Sequence, residues 1–159
     1  MRGRLLTLVL IIGLIAAACT NGGSGSDTGG SGSSPADDGG GGGGSGGTID
    51  LGGQAANDHG TKSVSGATSL EVELDNFYFS PTTIQGDASQ KVTLTLTNDS
   101  STLHNFSVQA FNETIDQDVK PGETKEVEVQ FGNVLDSIAV FECKYHASQG
   151  MRGALQVPR

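Results

Sequence analysis

The sequence predicts an all-β fold, a Greek-key β-sandwich over residues 67–159, and three observations predict it. Apolar residues recur at every second position in several short stretches, a spacing that buries one face of a strand and wets the other. Turn-forming segments separate these stretches at short intervals. No stretch carries a helical apolar stripe, and only residues 133–137 are compatible with a helical turn. Several short strands at such spacing suit a sandwich.

In "SLEVELD" (69–75), Leu70, Val72 and Leu74 alternate with Glu71 and Glu73. In "KVTLTLTN" (91–98), Val92, Leu94 and Leu96 alternate with threonines, and in "EVEVQF" (126–131) Val127, Val129 and Phe131 repeat the pattern. Half-wet strands of this kind belong to antiparallel sheets. "SIAVFEC" (137–143) is mostly apolar, β-branched or aromatic, as a central strand requires, and "GALQVP" (153–158) is a short last strand stopped by Pro158. "SPTT", "QGDAS", "NDSS", "KPGE" and "FGN" supply the turns. A 93-residue domain is small, but its core can suffice without disulfides.

The upstream residues read differently. "MRGR" is basic, and Leu5 to Ala18 is an apolar run shorter than the roughly 20 residues of a spanning helix. Together they read as a secretion signal over residues 1–18. The run ends in "AAAC" at Ala16–Cys19, which resembles the bacterial lipobox, although the nearest leucine is Leu14 rather than residue 16. The resemblance implies cleavage before Cys19 and lipidation of that residue; the alternative is an uncleaved short anchor with an idle thiol. Both place the remaining chain outside the cytoplasmic membrane, in the periplasm or at the cell surface. Residues 20–66 hold 18 of the 25 glycines, including Gly39 to Gly44, and read with Cys19 as a disordered Gly/Ser tether. A coil of this length spans about 35–40 Å. His59 falls in it and receives no role.

Residues 67–159 carry six Lys and Arg against 13 Asp and Glu, a formal charge of −7. This argues against nucleic acid, which requires basic patches; the excess acid reads as a solubility device. The chain has two cysteines, Cys19 and Cys143. With Cys19 lipidated, Cys143 stands alone in an oxidising compartment, where a bare thiol invites oxidation unless buried or metal-bound.

The chemistry concentrates in "CKYHASQGM" (143–151), with Cys143 at the end of an apolar strand and His146 and Met151 in the loop beyond it. Gly150 and Gly153 close that loop and let the backbone pass close to a metal or adopt positive φ. One Cys, two His and a weak Met is the donor pattern of blue-copper electron-transfer sites. The loop supplies one histidine; of the other two, His59 lies in the tether, which leaves His104 in "STLHNFSV". Zinc is the competing metal, but it favours closed Cys/His sites and seldom a thioether. Singly, a strand histidine is more often structural and a methionine more often core filler; the four donors together favour the metal.

"FECKYHASQGMRGALQV" resembles the copper-binding end of the cupredoxins, the plastocyanin, azurin and halocyanin group, with plastocyanin-type C-x-x-H-x-x-x-x-M spacing. "FYFSPTTI", "LHNFSV" and "KPGETKEVEV" resemble other segments of that family, so the likeness covers about residues 70–157. It implies one copper ion held by His104, Cys143 and His146 with Met151 axial and distant, and Asn105 tying the two ligand segments by hydrogen bonds. Tyr145 stands where plastocyanin often has proline. Phe141, Phe106 and Tyr145 are candidates for the apolar shell, and the resemblance makes His146 the electron port.

No nucleophile–base pair, phosphate loop or nucleic-acid motif is visible, and four protein donors leave a metal no open position, so the expectation is a non-enzyme. The expected function is a monomeric, membrane-tethered shuttle carrying single electrons between a redox donor and acceptor. The alternatives are copper storage, delivery or sensing, and a metal-free domain that binds a partner.

Overall fold

The structure is a computed structural model that describes residues 46–111 and 113–159. The predicted signal, Cys19 and the glycine run therefore lie outside the described residues. Twelve strands follow in order: β1 (Gly47–Asp50), β2 (Ala55–Asp58), β3 (Thr61–Ser63), β4 (Ser69–Asp75), β5 (Tyr78–Ser80), β6 (Thr83–Gln85), β7 (Lys91–Asn98), β8 (His104–Ala110), β9 (Glu113–Val119), β10 (Thr124–Gln130), β11 (Ile138–Glu142) and β12 (Arg152–Gln156). A short 3-10 helix spans Ala147–Gln149.

The strands form two main layers, a four-stranded sheet ordered β10-β7-β4-β5 and a six-stranded sheet ordered β3-β6-β12-β11-β8-β9. The period-two pattern does what its spacing requires. Val92, Leu94 and Leu96 of β7 are buried while the intervening threonines keep partial exposure, and Val72 and Leu74 of β4 point to the same core. Aromatic rings join the layers: Phe79 of β5 meets Phe106 of β8 and Phe141 of β11 edge-on, at centroid distances of 6.1 and 5.0 Å. Phe106 and Phe141 lie 4.8 Å apart within their own sheet. Edge-to-face pairs add about 0.5–1.5 kcal/mol to the burial of the rings themselves.

Three expectations need correction, and one strand was missed. The fold begins before residue 67, because β1, β2 and β3 occupy residues assigned to the tether. Leu51 and Ala56 of this stretch are buried with Ala154, and Val64 enters the main core. The few apolar side chains here are diluted by glycine, which hides them from a compositional reading. The sheets are also mixed rather than antiparallel: β4 pairs parallel with β7, and β6 pairs parallel with both β12 and β3. Strand β9 escapes the sequence reading because "ETIDQDV" is acidic; it is an edge strand, where charge facing solvent discourages pairing with other chains. Residues 133–137 form bends and a turn, and the one helical turn lies instead in the loop after Cys143.

Candidate metal centre

Two adjacent strands bring the site together. β8 and β11 run antiparallel with Glu142 opposite Ser107, so the residue leaving β11, Cys143, lies beside the start of β8, where His104 is the first residue. The chain then turns back on itself. The His146 N–H donates to the Cys143 carbonyl at 2.9 Å, the 3-10 helix follows, and Gly150 adopts a left-handed conformation with φ of 83°. That conformation costs glycine little and other residues more. Met151 returns beside Cys143, whose N–H donates to the Met151 carbonyl at 3.1 Å. Gly153 serves a different purpose from the one its sequence position suggests. A Cβ there would lie 2.3 Å from the Phe141 ring, so this glycine makes room for the core rather than for a metal.

His104, Cys143 and Met151 are fully buried and His146 is partly exposed. Nδ1 of His146 lies 3.3 Å from the Cys143 sulfur and Nδ1 of His104 lies 4.0 Å from it. The candidate ligand atoms of these three residues all fall within 4.8 Å of one another. A first-row ion sits about 2.0–2.3 Å from imidazole nitrogen and thiolate sulfur, which puts two donors of one ion about 3.5 Å apart. The observed spacings fit one shared ion, and Met151 lies near the other three donors.

The electrostatics suit ligation. Burial, then the neighbouring His146, push the His104 pKa down to about 4, and burial lowers that of His146. Both rings are thus neutral near pH 7, as metal ligation requires. Burial raises the Cys143 thiol, although the polar backbone of Tyr145, Asn105 and His146 opposes that rise. The thiol therefore keeps its proton in the metal-free chain, and a metal must displace it. Nδ1 of His104 faces the sulfur, while Nε2, on the other side of the ring, is buried with no hydrogen-bond partner among the described residues.

A pH dependence follows. Between about pH 6.5 and 4 the unfolded chain protonates His104 while the folded chain does not, so stability is lost as pH falls through that window. The loss amounts to at most about 3 kcal/mol, and His146 adds to it in the same direction. Urea unfolding of metal-free protein at pH 7 and pH 4.5 measures it; equal midpoints would contradict the buried, neutral His104.

The surroundings differ from the expected shell. Phe141 and Phe106 belong to the core between the sheets, and Tyr145 is 45% exposed with its hydroxyl donating to Asp118. The ring beside the ligands is Phe77, quoted in the sequence reading only as part of "FYFSPTTI" and given no role there, 4.6 Å from His146 and 6.4 Å from His104. Only its placement in the turn before β5 reveals it. Asn105 is fully buried, and its amide donates to Asp116 at 2.7 Å and Asp118 at 2.9 Å. Its link to the cysteine loop is a long contact, Lys144 N–H to Oδ1 at 3.5 Å. Lys144 bridges the same two aspartates at 2.7 and 3.1 Å, so β9 braces the cysteine loop from the side. His59 is not brought to the site; its ring stacks on Tyr78 with centroids 3.4 Å apart.

A sandwich carrying a Cys–His–His cluster with a buried methionine defines a class, and the chain belongs to the cupredoxin-like domain family, whose profile matches residues 55–157. No curated protein matches the chain. Among solved structures it is similar to a dithionite-reduced auracyanin from the photosynthetic bacterium Roseiflexus castenholzii, at 16% identity and a TM-score of 0.48, over 58% of this chain and 98% of that one. It is also similar to a mutant plastocyanin of fern, at 22% identity and a TM-score of 0.41, over 55% and 99% of the two chains. A purple cupredoxin from Nitrosopumilus maritimus aligns at 18% identity and a TM-score of 0.38, over 55% and 98%. Members of the family bind one copper ion, and the donors here fit it.

Proposed function

We propose that His104, Cys143, His146 and Met151 hold one copper ion, and that the protein carries single electrons between redox partners outside the cytoplasmic membrane. The observation that carries this reading is the convergence of two Nδ1 atoms on one buried cysteine sulfur, with a buried methionine beside it. Bound copper supplies the one-electron couple. The chain supplies the rest. Thiolate and thioether favour the reduced ion, the neutral imidazoles favour neither valence strongly, and the buried setting excludes water. His146, the one of the four that is partly exposed, packs on Phe77 and offers an electron a way out of the protein. Four protein donors leave no vacant position for a substrate, which supports a carrier over an enzyme.

The test is stoichiometric addition of Cu(II) to the purified protein. The expected result is an intense visible thiolate-to-copper band that bleaches and returns in a one-electron titration. A colourless Cu(II) protein refutes the ligand set, and a coloured one that surrenders its copper readily to a chelator favours delivery over shuttling.

Anchoring completes the proposal. With β1 starting at Gly47, the Gly/Ser-rich stretch between Cys19 and the domain ends before that strand. Lipid at Cys19 would hold the domain near a membrane surface and its partners. Cys19→Ser is expected to move the protein from the membrane fraction to the soluble fraction; retention in the membrane fraction rules out this anchor.

A further inference from the structure

Strands β1 and β2 pair antiparallel in a separate N-terminal hairpin, and this hairpin grips the loop that carries His146 and Met151. Asn57 of β2 donates its side-chain amide to the Phe77 carbonyl at 2.7 Å and to the Gln149 carbonyl at 2.9 Å. Its backbone N–H donates to the Gly150 carbonyl at 2.9 Å. Its own carbonyl accepts from the Thr82 hydroxyl at 3.0 Å, which fixes it against the sandwich. A Cβ on Gly150 would lie 2.8 Å from Asn57 Oδ1, so side chain and loop already touch. One residue therefore joins three segments distant in sequence: the hairpin, the turn bearing Phe77 against His146, and the loop between two of the proposed ligands.

We infer that Asn57 is a positioning residue for the metal loop. Between Cys143 and Met151 the loop is held internally only by short-range turns, His146 N–H to the Cys143 carbonyl at 2.9 Å, Gln149 N–H to the His146 carbonyl at 2.9 Å, Gly150 N–H to the Ala147 carbonyl at 3.1 Å and Met151 N–H to the His146 carbonyl at 3.3 Å. Such a segment opens locally at low cost unless something rigid holds it. Asn57 supplies that hold from a paired strand, and by anchoring Phe77 it also fixes the ring that packs on His146. Donors that serve two valence states gain from a loop that does not relax between them. The effect on copper rests on the ligand assignment proposed above; the grip itself does not.

The experiment uses the full chain with Asn57→Ala and, as a nearly isosteric change without donors, Asn57→Leu. In metal-free protein, amide exchange at residues 149–152 is expected to accelerate on the order of tenfold in both variants, with Leu94 and Leu96 of β7 unchanged. In copper-loaded protein the visible band is expected to change shape, and copper loss to a chelator to quicken several-fold. Unchanged exchange, or acceleration shared equally with β7, overturns the inference, because the first denies the grip and the second makes Asn57 merely structural. Faster local exchange with an unaltered band and release rate also overturns it, since the loop would then move without moving the donors. A colourless wild type with Cu(II) defeats the copper reading instead, and the exchange measurement then decides the grip alone. Should Asn57→Ala fail to fold, Asn57→Leu decides.

Discussion

Cys143→Ser is expected to abolish the visible charge-transfer band altogether and to weaken copper binding by well over the 10–100-fold seen when a partner of a metal ligand is lost. The sulfur is the only thiolate available to the site among the described residues. A serine hydroxyl at the same place is a hard donor that keeps its proton near neutral pH, so it supplies neither the charge nor the orbital overlap behind the band. The fold should survive the change. Serine matches cysteine in shape, and the volume lost is small. Optical titration with Cu(II), with circular dichroism as a control for folding, checks both halves. A variant that keeps the band would place the chromophore elsewhere.

Phe141→Ala is expected to cost about 3–5 kcal/mol, the usual range for emptying a large aromatic site. The ring is fully buried, meets Phe79 at 5.0 Å and Phe106 at 4.8 Å, and lies against the Cα of Gly153 with no gap for a methyl group. Neighbours held on two sheets cannot collapse into the space, so a cavity remains. Domains of this size are stable by about 5–15 kcal/mol, so the variant would be near its unfolding threshold. Denaturant midpoints of the metal-free proteins measure the loss. A change below about 1 kcal/mol would mean that the three rings do not carry the core as described. The position also matters for the site, because Phe141 lies two residues before Cys143 on the strand that aims the sulfur.

The legible parts of the fold were those where burial leaves a period in the residues. β4, β7 and β10 each alternate apolar and polar side chains, and each is a strand with one buried face. The hidden parts were those where that period is weak. Strand β9 carries acid because it is an edge, and β1 to β3 carry mostly small and polar residues in a separate two-stranded hairpin and at the other edge of the six-stranded sheet. Their pairing is decided by neighbours, such as Ile84 of β6 opposite Lys62 of β3, and not by their own composition.

The site divides in the same way. His104, Cys143, His146 and Met151 stand out from residue type and spacing, since few residues have donor atoms soft enough for copper and the chain has few to choose from. Asn57 and Phe77 do not, because an amide that donates to backbone carbonyls and a ring that covers an imidazole look like any other asparagine and phenylalanine. The sequence by itself determined which atoms can meet a metal and which strands bury a face, because both are properties of individual side chains and their local period. Only the tertiary structure decided what surrounds and steadies those atoms, because hydrogen bonds such as Asn57 to Gln149 join residues 92 positions apart and leave no periodic trace in the chain.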